Sequence, residues 1–397
     1  MRIGVDAREL CGHPTGVGRY LGGLLHEWAA LRGLPHEFVL YAHDATSLPL
    51  DTRRFATRLV PGPPGTWWEQ VRAPRAAARD HLDVWFAPGY TAPLRMQVPT
   101  VVAIHDLSFV AHPEWFSMRE GARRRWLTGQ SAALAAAVIT ISEFSKRELA
   151  ERLGVPAERV HVIPPGIGAG AQQPRRGNSR LGLTTESTET QRLESDSPQP
   201  PASGPRVLFV GSIFNRRHVV DLIRAFTPIA RAHPDASLDI VGDNRSYPRQ
   251  DLRRTIADEH VEAQVSWHEY VSEERLADLY THARAFAFLS EYEGLGLTPL
   301  EALAAGVPPV LLDTPVARES CGDAAVYVPL GDVPAITRAL NAALFDQAAR
   351  TRLLQAAPAA LARYSWPRAA RDTLAVLVNA SSAGYPSRPR WPLKPAG

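Results

Sequence analysis

The segment from Ser290 to Ala302, SEYEGLGLTPLEA, holds the residues best suited to chemistry. It follows an apolar run that predicts a buried strand, and a helix is predicted to begin near Leu297. Glycines let a backbone approach a ligand, and a helix N-terminus offers free N–H groups with about half a positive charge. The pattern therefore predicts a diphosphate cradle at Gly294, Gly296 and Leu297.

Two carboxylates bracket this cradle. Glu293 lies in the loop and Glu301 in the early helix, with seven residues between them. Carboxylates are poorly suited to bind phosphates, but they accept hydrogen bonds from sugar hydroxyls. The alternative is a pair of solvated glutamates beside an ordinary turn, and spacing alone does not separate the two interpretations.

A second strand, loop and helix start is predicted at Val210–His218. We expect Asn215 to cap the helix and Arg216 and Arg217 to lie in its first turn. Cations at a helix N-terminus oppose the helix dipole, so an anionic ligand would reconcile them. The alternative is exposed arginines that pair with the opposite domain.

Two further signals are weaker. Gly16 and Gly18 follow the first strand, but the full dinucleotide-binding fingerprint is longer than this pair. That fingerprint includes an acidic residue after the second strand, and because His43-Asp44 stands there, a dehydrogenase remains an alternative interpretation. The pair His105-Asp106 ends a strand, where ligands gather in open α/β sheets, yet such a pair is also common as a local structural hydrogen bond. The sequence has no Asp-x-Asp and no His pair at metal-ligand spacing, so we expect no metal cofactor.

Short apolar strands alternate with amphipathic helices such as Arg19–Leu31 and Glu143–Leu153, which predicts two doubly wound parallel sheets. In 397 residues we expect an N-terminal domain at 1–167, a flexible linker at 168–205, a second domain at 206–364 and a disordered tail at 382–397. The predicted strands are Ile3–Asp6, Phe38–Tyr41, Val84–Ala87, Val101–Ile104, Val138–Ile141, Val160–Ile163, Val207–Val210, Leu238–Val241, Val265–His268, Ala285–Leu289, Val310–Leu312 and Ala325–Val328.

Composition excludes several protein classes. The net charge of +3 is small and the arginines are scattered, which argues against nucleic-acid binding. Two cysteines, Cys11 and Cys321, leave no disulfide framework. The charged start is unlike a signal peptide and the longest apolar run, Ala132–Ile141, is too short to span a bilayer, so we expect a cytoplasmic protein.

Taken together, these motifs resemble those of the retaining GT-B glycosyltransferases of family 4, the bacterial group acting on surface polysaccharides and glycolipids. The resemblance covers nearly everything outside the linker and tail. Its most specific element is the E-x7-E from Glu293 to Glu301, and it also includes GVDAR at 4–8, TGVGRY at 15–20, HDLS at 105–108, ISEFS at 141–145 and IPPG at 163–166.

The resemblance implies an α/β GT-B fold, in which two Rossmann-like domains face each other across a cleft and a last helix, 365–380, crosses back to the N-terminal acceptor domain. It also implies a role for each matching residue. His105 contacts the donor sugar, Arg217 with Arg216 neutralises the diphosphate, and Glu293 binds sugar hydroxyls. The remaining donor contacts are Gly16, Gly18, Gly294, Gly296, Leu297, Glu301 for the ribose, and Val271 beside Tyr270 for the base.

The implied activity is retaining transfer of a sugar, with mannose from GDP-mannose as one option, from a nucleotide sugar to a glycan or lipid-linked acceptor. Many relatives have Lys at the position of Arg217, which keeps the charge and changes the geometry. The alternatives are a GT-B sugar-nucleotide epimerase and a non-catalytic binding scaffold. We expect Trp67 and Trp68 to bind the acceptor if they are exposed, the alternative being simple packing.

Two basic, aromatic stretches favour contact with the inner face of a membrane if the acceptor is lipid-linked. Each is predicted to be a helix of the N-terminal domain, and the alternative is solvated arginines on helices whose aromatics face the core. The first contains Trp115, Phe116, Arg119, Arg123, Arg124, Arg125, Trp126 and Leu127, and the second contains Trp67, Trp68, Arg72, Arg75 and Arg79.

Overall fold

The computed structural model describes residues 1–12, 16–46, 53–168 and 204–382. Nearly all of the predicted linker, the predicted tail from residue 383, and Thr15 of the glycine motif lie outside the described residues. The chain divides into two compact units. The first comprises Met1–Gly166, Glu293–Leu295 and the chain from Arg363 onward, and the second comprises Ile167–Tyr292 and Gly296–Ala362.

The first unit is built on a parallel sheet of seven strands in the order β3-β2-β1-β4-β5-β6-β7. Ile3 and Val5 pack with Phe38 on one face, and Val39 and Tyr41 pack on the other. Burial on both faces explains the unbroken apolar runs. The strands are β1 Arg2–Asp6, β2 Glu37–Ala42, β3 Phe55–Leu59, β4 Val84–Ala87, β5 Thr100–Ala103, β6 Ala137–Thr140 and β7 Val160–Val162.

Helices cover both faces of this sheet. Helix α1 carries buried Leu21, Leu24, Leu25 and Trp28, which join the core cluster around Ile3. The helices of the first unit are α1 Gly16–Ala30, α2 Ala73–Ala77, α3 Ser108–Ala111, α4 Met118–Leu134, α5 Glu143–Leu153 and α13 Trp366–Ser382, and a π-helical turn at Trp68–Arg72 precedes α2.

The second unit repeats the plan with a six-stranded parallel sheet in the order β10-β9-β8-β11-β12-β13. Its strands are β8 Arg206–Val210, β9 Ser237–Val241, β10 Val265–His268, β11 Ala285–Phe288, β12 Pro309–Leu312 and β13 Val326–Val328. Its helices are α6 Val219–Ala232, α7 Leu252–Asp258, α8 Glu273–His282, α9 Leu297–Ala304, α10 Pro315–Cys321, α11 Val333–Phe345 and α12 Gln347–Leu361.

The expected fold class, two doubly wound parallel sheets, is confirmed. Each expected strand is present within one residue at either end, and α5 matches its predicted bounds. One strand was missed. β3 is an edge strand with a single buried residue, Phe55, so it lacks the buried apolar run by which its neighbours are recognised.

Candidate functional site

The chain reverses its direction across each sheet at one point. In the second unit β8 lies between β9 and β11, so the loops after β8 and β11 leave the sheet side by side at its carboxyl edge. In open α/β sheets ligands bind at this switch point. The two segments singled out from the sequence, Val210–His218 and Ser290–Ala302, are these two loops.

The helices that follow these loops share an unusual start. α6 begins after His218 and α9 after Gly296, and in neither helix does a first-turn N–H donate a hydrogen bond to an N-cap side chain. The other five helices of the second unit, within the described residues, are each capped by a serine, threonine or aspartate side chain. First-turn N–H groups without a capping side chain are where an anion binds.

The predicted start of α6 was wrong. Asn215, Arg216 and Arg217 form a short 3₁₀ turn, and the helix itself begins two residues after it, at Val219. Asn215 does not cap it; its side chain binds the backbone of Tyr247 and Pro248. Arg216 and Arg217 therefore lie before α6. They do not oppose its dipole from within the first turn, as the sequence had suggested.

Arg217 is packed against the strand ends. Its Nη1 donates to the Ser212 carbonyl at 2.8 Å, and its guanidinium lies 4.8 Å from the ring centre of Phe288. Gly211 has φ +146°, and a Cβ there would lie 2.6 Å from Nη1 of Arg217. Arg216 lies over Phe214 at 4.3 Å. Aromatic faces and a glycine thus hold both cations at the switch point.

The loop after β11 contains the residues of the predicted cradle. Gly296 adopts φ +82°, a conformation that favours glycine, and a Cβ there would meet only Pro299 at ordinary contact distance. Leu297 then begins α9, and Glu301 follows in the same helix, half-buried. Val271 is half-buried after β10, beside Tyr270, which is exposed.

In the first unit His105 follows β5 and is buried. Its Nε2 lies 2.7 Å from the carbonyl of Pro88, and its ring meets Tyr20 edge-on at 4.7 Å. Burial lowers the pKa of His105 below its usual value. A neutral ring that donates from Nε2 to Pro88 has Nδ1 as an acceptor for a hydroxyl.

Asp106 does not pair with His105 by a hydrogen bond. Its carboxylate accepts from the Tyr90 hydroxyl at 2.5 Å and from the backbone of Ser108 at 2.9 Å. Burial, together with the neighbouring Asp106, raises the pKa of Tyr90 well above its ordinary value. The two residues of the His-Asp motif therefore have different hydrogen-bond partners, and Asp106 is a local structural acceptor.

The short segment Glu293–Leu295 is packed within the first unit. The Gly294 carbonyl accepts from the hydroxyl of Ser142 at 2.5 Å and from that of Ser145 at 3.3 Å. A Cβ on Gly294 would lie 2.0 Å from the carbonyl oxygen of His105, so only glycine fits. Glu293 is half-buried beside this contact.

The glycines of the first loop differ from each other. Gly16 is exposed at the first residue of α1, and a Cβ there would have nothing within 4 Å. Gly18 is buried one half-turn later. Open space at Gly16 is compatible with close approach of a ligand, whereas Gly18 serves the packing of the helix.

Trp67 and Trp68 also have opposite surroundings. Trp67 is 67% exposed, whereas Trp68 is fully buried and its Nε1 donates to the Val60 carbonyl at 2.7 Å. The expectation that both tryptophans present a face to an acceptor is therefore wrong for Trp68. The π-helical turn that begins at Trp68 turns its ring into the core.

A buried ionic network lies behind this turn and was missed from the sequence. Arg8 binds Asp6 and Glu69, each at 2.8 Å, and both carboxylates are buried. Burial raises the pKa of Asp6, and the two carboxylates raise that of Arg8 above its already high value. Thr91 donates to Glu69 at 2.5 Å. Spacing gave no signal, because Arg8 and Glu69 are far apart in the chain.

Within the described residues, no group of three or more His, Cys, Asp or Glu side chains is arranged to hold a metal ion. In the same part of the chain no helix is long and apolar enough to cross a membrane.

Comparison with known proteins agrees with this architecture. Residues 14–169 match the family model for Glycosyltransferase Family 4, and residues 191–360 match that for Glycosyl transferases group 1. O-antigen chain mannosyltransferase B of Escherichia coli is 24% identical over 299 residues, which are 75% of each chain. Alpha-D-kanosaminyltransferase of Streptomyces kanamyceticus is 28% identical over 283 residues, 70% of this chain and 69% of that one.

Solved structures share the fold. Sucrose-phosphate synthase from Thermosynechococcus elongatus superposes with a TM-score of 0.71 at 16% identity, covering 96% of this chain and 99% of that one. Anabaena HepE, solved with UDP and glucose, gives a TM-score of 0.69 at 17% identity, covering 96% and 100%. Because the two family models together cover most of the chain and the fold agrees throughout, the protein belongs to the family 4, or group 1, glycosyltransferases of GT-B fold.

Proposed function

We propose that this glycosyltransferase retains the configuration of the sugar it transfers, and that it moves that sugar from a nucleoside diphosphate to a glycan or lipid-linked acceptor in bacterial surface polysaccharide synthesis. The observation that supports this most is the switch point of the second sheet. Two helix starts without side-chain caps, α6 and α9, lie there beside Arg216 and Arg217. A diphosphate carries the charge and the acceptor oxygens that these groups fit.

In this proposal the protein acts on the leaving group. Negative charge grows on the diphosphate as its bond to the sugar breaks. Arg217 and the N–H groups at the start of α9 stabilise that charge in the transition state, since they are already fixed in place. They replace a metal ion, so the reaction is proposed to be metal-independent.

The remaining residues orient the donor. Glu301 accepts hydrogen bonds from the ribose and Glu293 from the sugar, each worth about 1.5–3 kcal/mol because the acceptor is charged. His105 accepts a hydrogen bond at Nδ1 from one sugar hydroxyl. The acceptor attacks the sugar on the same face from which the diphosphate leaves. This retains the configuration of the sugar without a covalent intermediate.

Mannose carried by GDP is the donor we favour. The support is that the Escherichia coli relative is a mannosyltransferase by name. The Anabaena structure contains UDP and glucose, so a uridine nucleotide is the second donor to be tried.

A lipid-linked acceptor would bring the first unit to a membrane. α4 presents Met118 and Trp126, 89% and 56% exposed, beside exposed arginines. Arg123 donates to the Thr66 hydroxyl at 2.7 Å, which joins α4 to the residue before Trp67. The exposed residues of the two basic, aromatic stretches therefore adjoin at this contact. We call them the α4 surface: Trp67, Met118, Arg119, Arg123, Arg124 and Trp126. We propose that it contacts anionic headgroups and that Trp67 stacks on the acceptor.

Binding of GDP, UDP and dTDP, each compared with its free nucleoside by calorimetry, tests the donor site. Arg217→Ala is expected to weaken binding of the preferred diphosphate about ten- to a hundredfold, as one charge-assisted hydrogen bond is lost, and to change nucleoside binding little. Arg231→Ala, at the exposed far end of α6, is the matched control and is expected to bind as the wild type does.

Equal losses of nucleoside and diphosphate binding in Arg217→Ala would count against the assignment. The same titrations and turnover are run in EDTA. Activity that disappears in EDTA and returns with magnesium or manganese would contradict metal independence.

A further inference from the structure

The loop after β9 is fixed to the sheet on both of its sides. On the β8 side, the Ile213 N–H donates to the Asp243 carbonyl at 2.8 Å, and the Arg245 N–H donates to the Ile213 carbonyl at 2.8 Å. On the β10 side, the Gly242 N–H donates to the His268 carbonyl at 2.8 Å. The pairing of β9 with its two neighbours therefore continues past the ends of the strands, which fixes the start of the loop at the carboxyl edge of the sheet.

Hydrogen bonds within the loop hold its next turn in one shape. The Asn244 side chain accepts from the Ser246 backbone N–H at 3.1 Å and donates to the Gln250 carbonyl at 2.8 Å. Ser246 is buried, and its hydroxyl accepts from the Gln250 N–H at 2.8 Å. The backbone is thus held on both sides of Tyr247.

Asn215 joins this loop to the 3₁₀ turn Asn215–Arg217, which we call the arginine turn. Oδ1 of Asn215 accepts from the Tyr247 N–H at 2.7 Å, and Nδ2 donates to the Pro248 carbonyl at 3.2 Å. Asn215 directly precedes Arg216 in the turn. One side chain therefore fixes the Tyr247 backbone beside the two arginines that are proposed to bind the diphosphate.

Tyr247 itself is 74% exposed, although its backbone is fixed. Single exposed aromatic residues are common on protein surfaces, so exposure alone assigns no role to this ring. Tyr247 differs from such residues because its backbone is bonded to the arginine turn. A ring that is attached at a fixed position loses little conformational freedom when it packs against a ligand, so more of the contact energy remains for binding.

The order of the strands places Tyr247 on the nucleoside side of the proposed donor site. β9 lies between β8 and β10, so its loop leaves the sheet between the arginine turn and the loop that carries Val271. β11, which leads to α9, lies on the other side of β8. A donor whose diphosphate lies at the arginine turn and whose base contacts Val271 therefore passes the loop on which Tyr247 is exposed.

We infer that Tyr247 is a specificity-determining residue, whose ring stacks on the nucleobase of the donor and so favours purine over pyrimidine nucleotides. This role rests on the proposed donor site. Stacking on an aromatic ring tolerates any base, because every base has a π face. The two fused rings of a purine cover more of the tyrosine ring than the single ring of a pyrimidine does, so the purine gains more from the contact.

Calorimetric titrations with GDP, UDP and inorganic pyrophosphate test this role, because pyrophosphate has no base. The wild type is expected to bind GDP more tightly than UDP. Tyr247→Ala is expected to weaken GDP binding about five- to a hundredfold, since one base–aromatic stack is lost. It should weaken UDP binding less and leave pyrophosphate binding unchanged. Tyr247→Phe keeps the ring and is expected to bind all three ligands as the wild type does.

Phe345→Ala is the matched control, because Phe345 is an exposed aromatic residue at the opposite edge of the same sheet. The carbonyl of its neighbour Leu344 accepts a hydrogen bond from the side chain of Arg284, which directly precedes β11. This variant is expected to bind all three ligands as the wild type does.

The same titrations separate the role of Tyr247 from the donor site. Unchanged GDP binding in Tyr247→Ala would overturn the stacking role and leave the donor site standing, and so would equal losses of GDP and pyrophosphate binding. Tighter binding of UDP than of GDP by the wild type would overturn the purine preference. Failure of the wild type to bind GDP, UDP or dTDP would overturn the proposed function itself.

Discussion

Trp67 and Trp68 are adjacent and chemically identical, yet they differ completely in exposure. Trp67 is 67% exposed, and Trp68 is fully buried among the residues of the first unit's core. Trp68 also lies under the Arg8 guanidinium, 5.3 Å from its ring centre. Trp67 is therefore accessible to a ligand, whereas Trp68 is part of the core.

The pair gives a matched prediction at the scale of single residues. Trp68→Ala is expected to lower the free energy of unfolding by about 3–5 kcal/mol, because it opens a cavity in the core. Trp67→Ala is expected to change it by no more than about 0.5 kcal/mol and to raise KM for the acceptor without changing affinity for the donor. Urea denaturation and steady-state kinetics check both. An unchanged acceptor KM would remove Trp67 from the acceptor site.

Among the helices, the contact between α1 and α13 fixes the C-terminal part of the chain on the first unit. Trp366, the first residue of α13, lies over Gly23 of α1, and a Cβ on Gly23 would be 2.6 Å from its ring. A Cβ on Gly166 would be 2.4 Å from the Trp366 backbone nitrogen. Trp28 donates to the Ala370 carbonyl at 2.8 Å in the same interface. Glycines thus make the room in which α13 packs on the first unit.

Two glycine substitutions test this packing. Gly23→Ala is expected to destabilise the protein by about 1–3 kcal/mol, because the new methyl group must displace the Trp366 ring. Gly129→Ala, within α4 and with nothing within 4 Å of its Cβ, is expected to stabilise it by up to about 1 kcal/mol through helix propensity. The denaturation midpoints of the two variants should therefore move in opposite directions. Shifts of the same sign would contradict the packing argument.

The α4 surface is the feature that concerns the molecule as a whole. It combines exposed aromatic and apolar side chains with several arginines on one unit, at a total net charge of only +3. Each basic residue near an anionic membrane contributes ~1 kcal/mol, so several give weak docking that salt screens.

Vesicle co-sedimentation measures that docking. The protein is expected to bind vesicles rich in anionic lipid at low salt, and to bind neutral vesicles or anionic ones at high salt much less. Replacing Arg119, Arg123 and Arg124 by Gln should abolish the binding. The matched control replaces Arg254, Arg338 and Arg352, which are exposed on α7, α11 and α12 of the second unit. Binding indifferent to lipid charge, or equal in both triple variants, would reject the docking surface.

The positions of the strands and the choice of candidate donor residues could be predicted from local patterns of residues. Strands buried on both faces appear as unbroken apolar runs, and glycines that end a strand and precede a helix mark a loop that can approach an anion. These are local properties, carried by neighbouring residues, so Gly296, Leu297 and α9 lie where the sequence places them. β3 was not predicted, because an edge strand buries few of its side chains and so lacks an apolar run.

Contacts between residues far apart in the chain could not be predicted, because they depend on how the strands are ordered in space. His218 and Glu291 lie 73 positions apart, and Arg8 and Glu69 lie 61 apart, so no spacing rule could pair them. Parallel sheet order brings the first pair together, because β8 and β11 are neighbours in space and not in sequence. The difference between the adjacent residues Trp67 and Trp68 also depends on the fold, because it comes from which side of one helical turn meets the core. Local pattern selects the residues with chemistry, and the order of strands selects their partners.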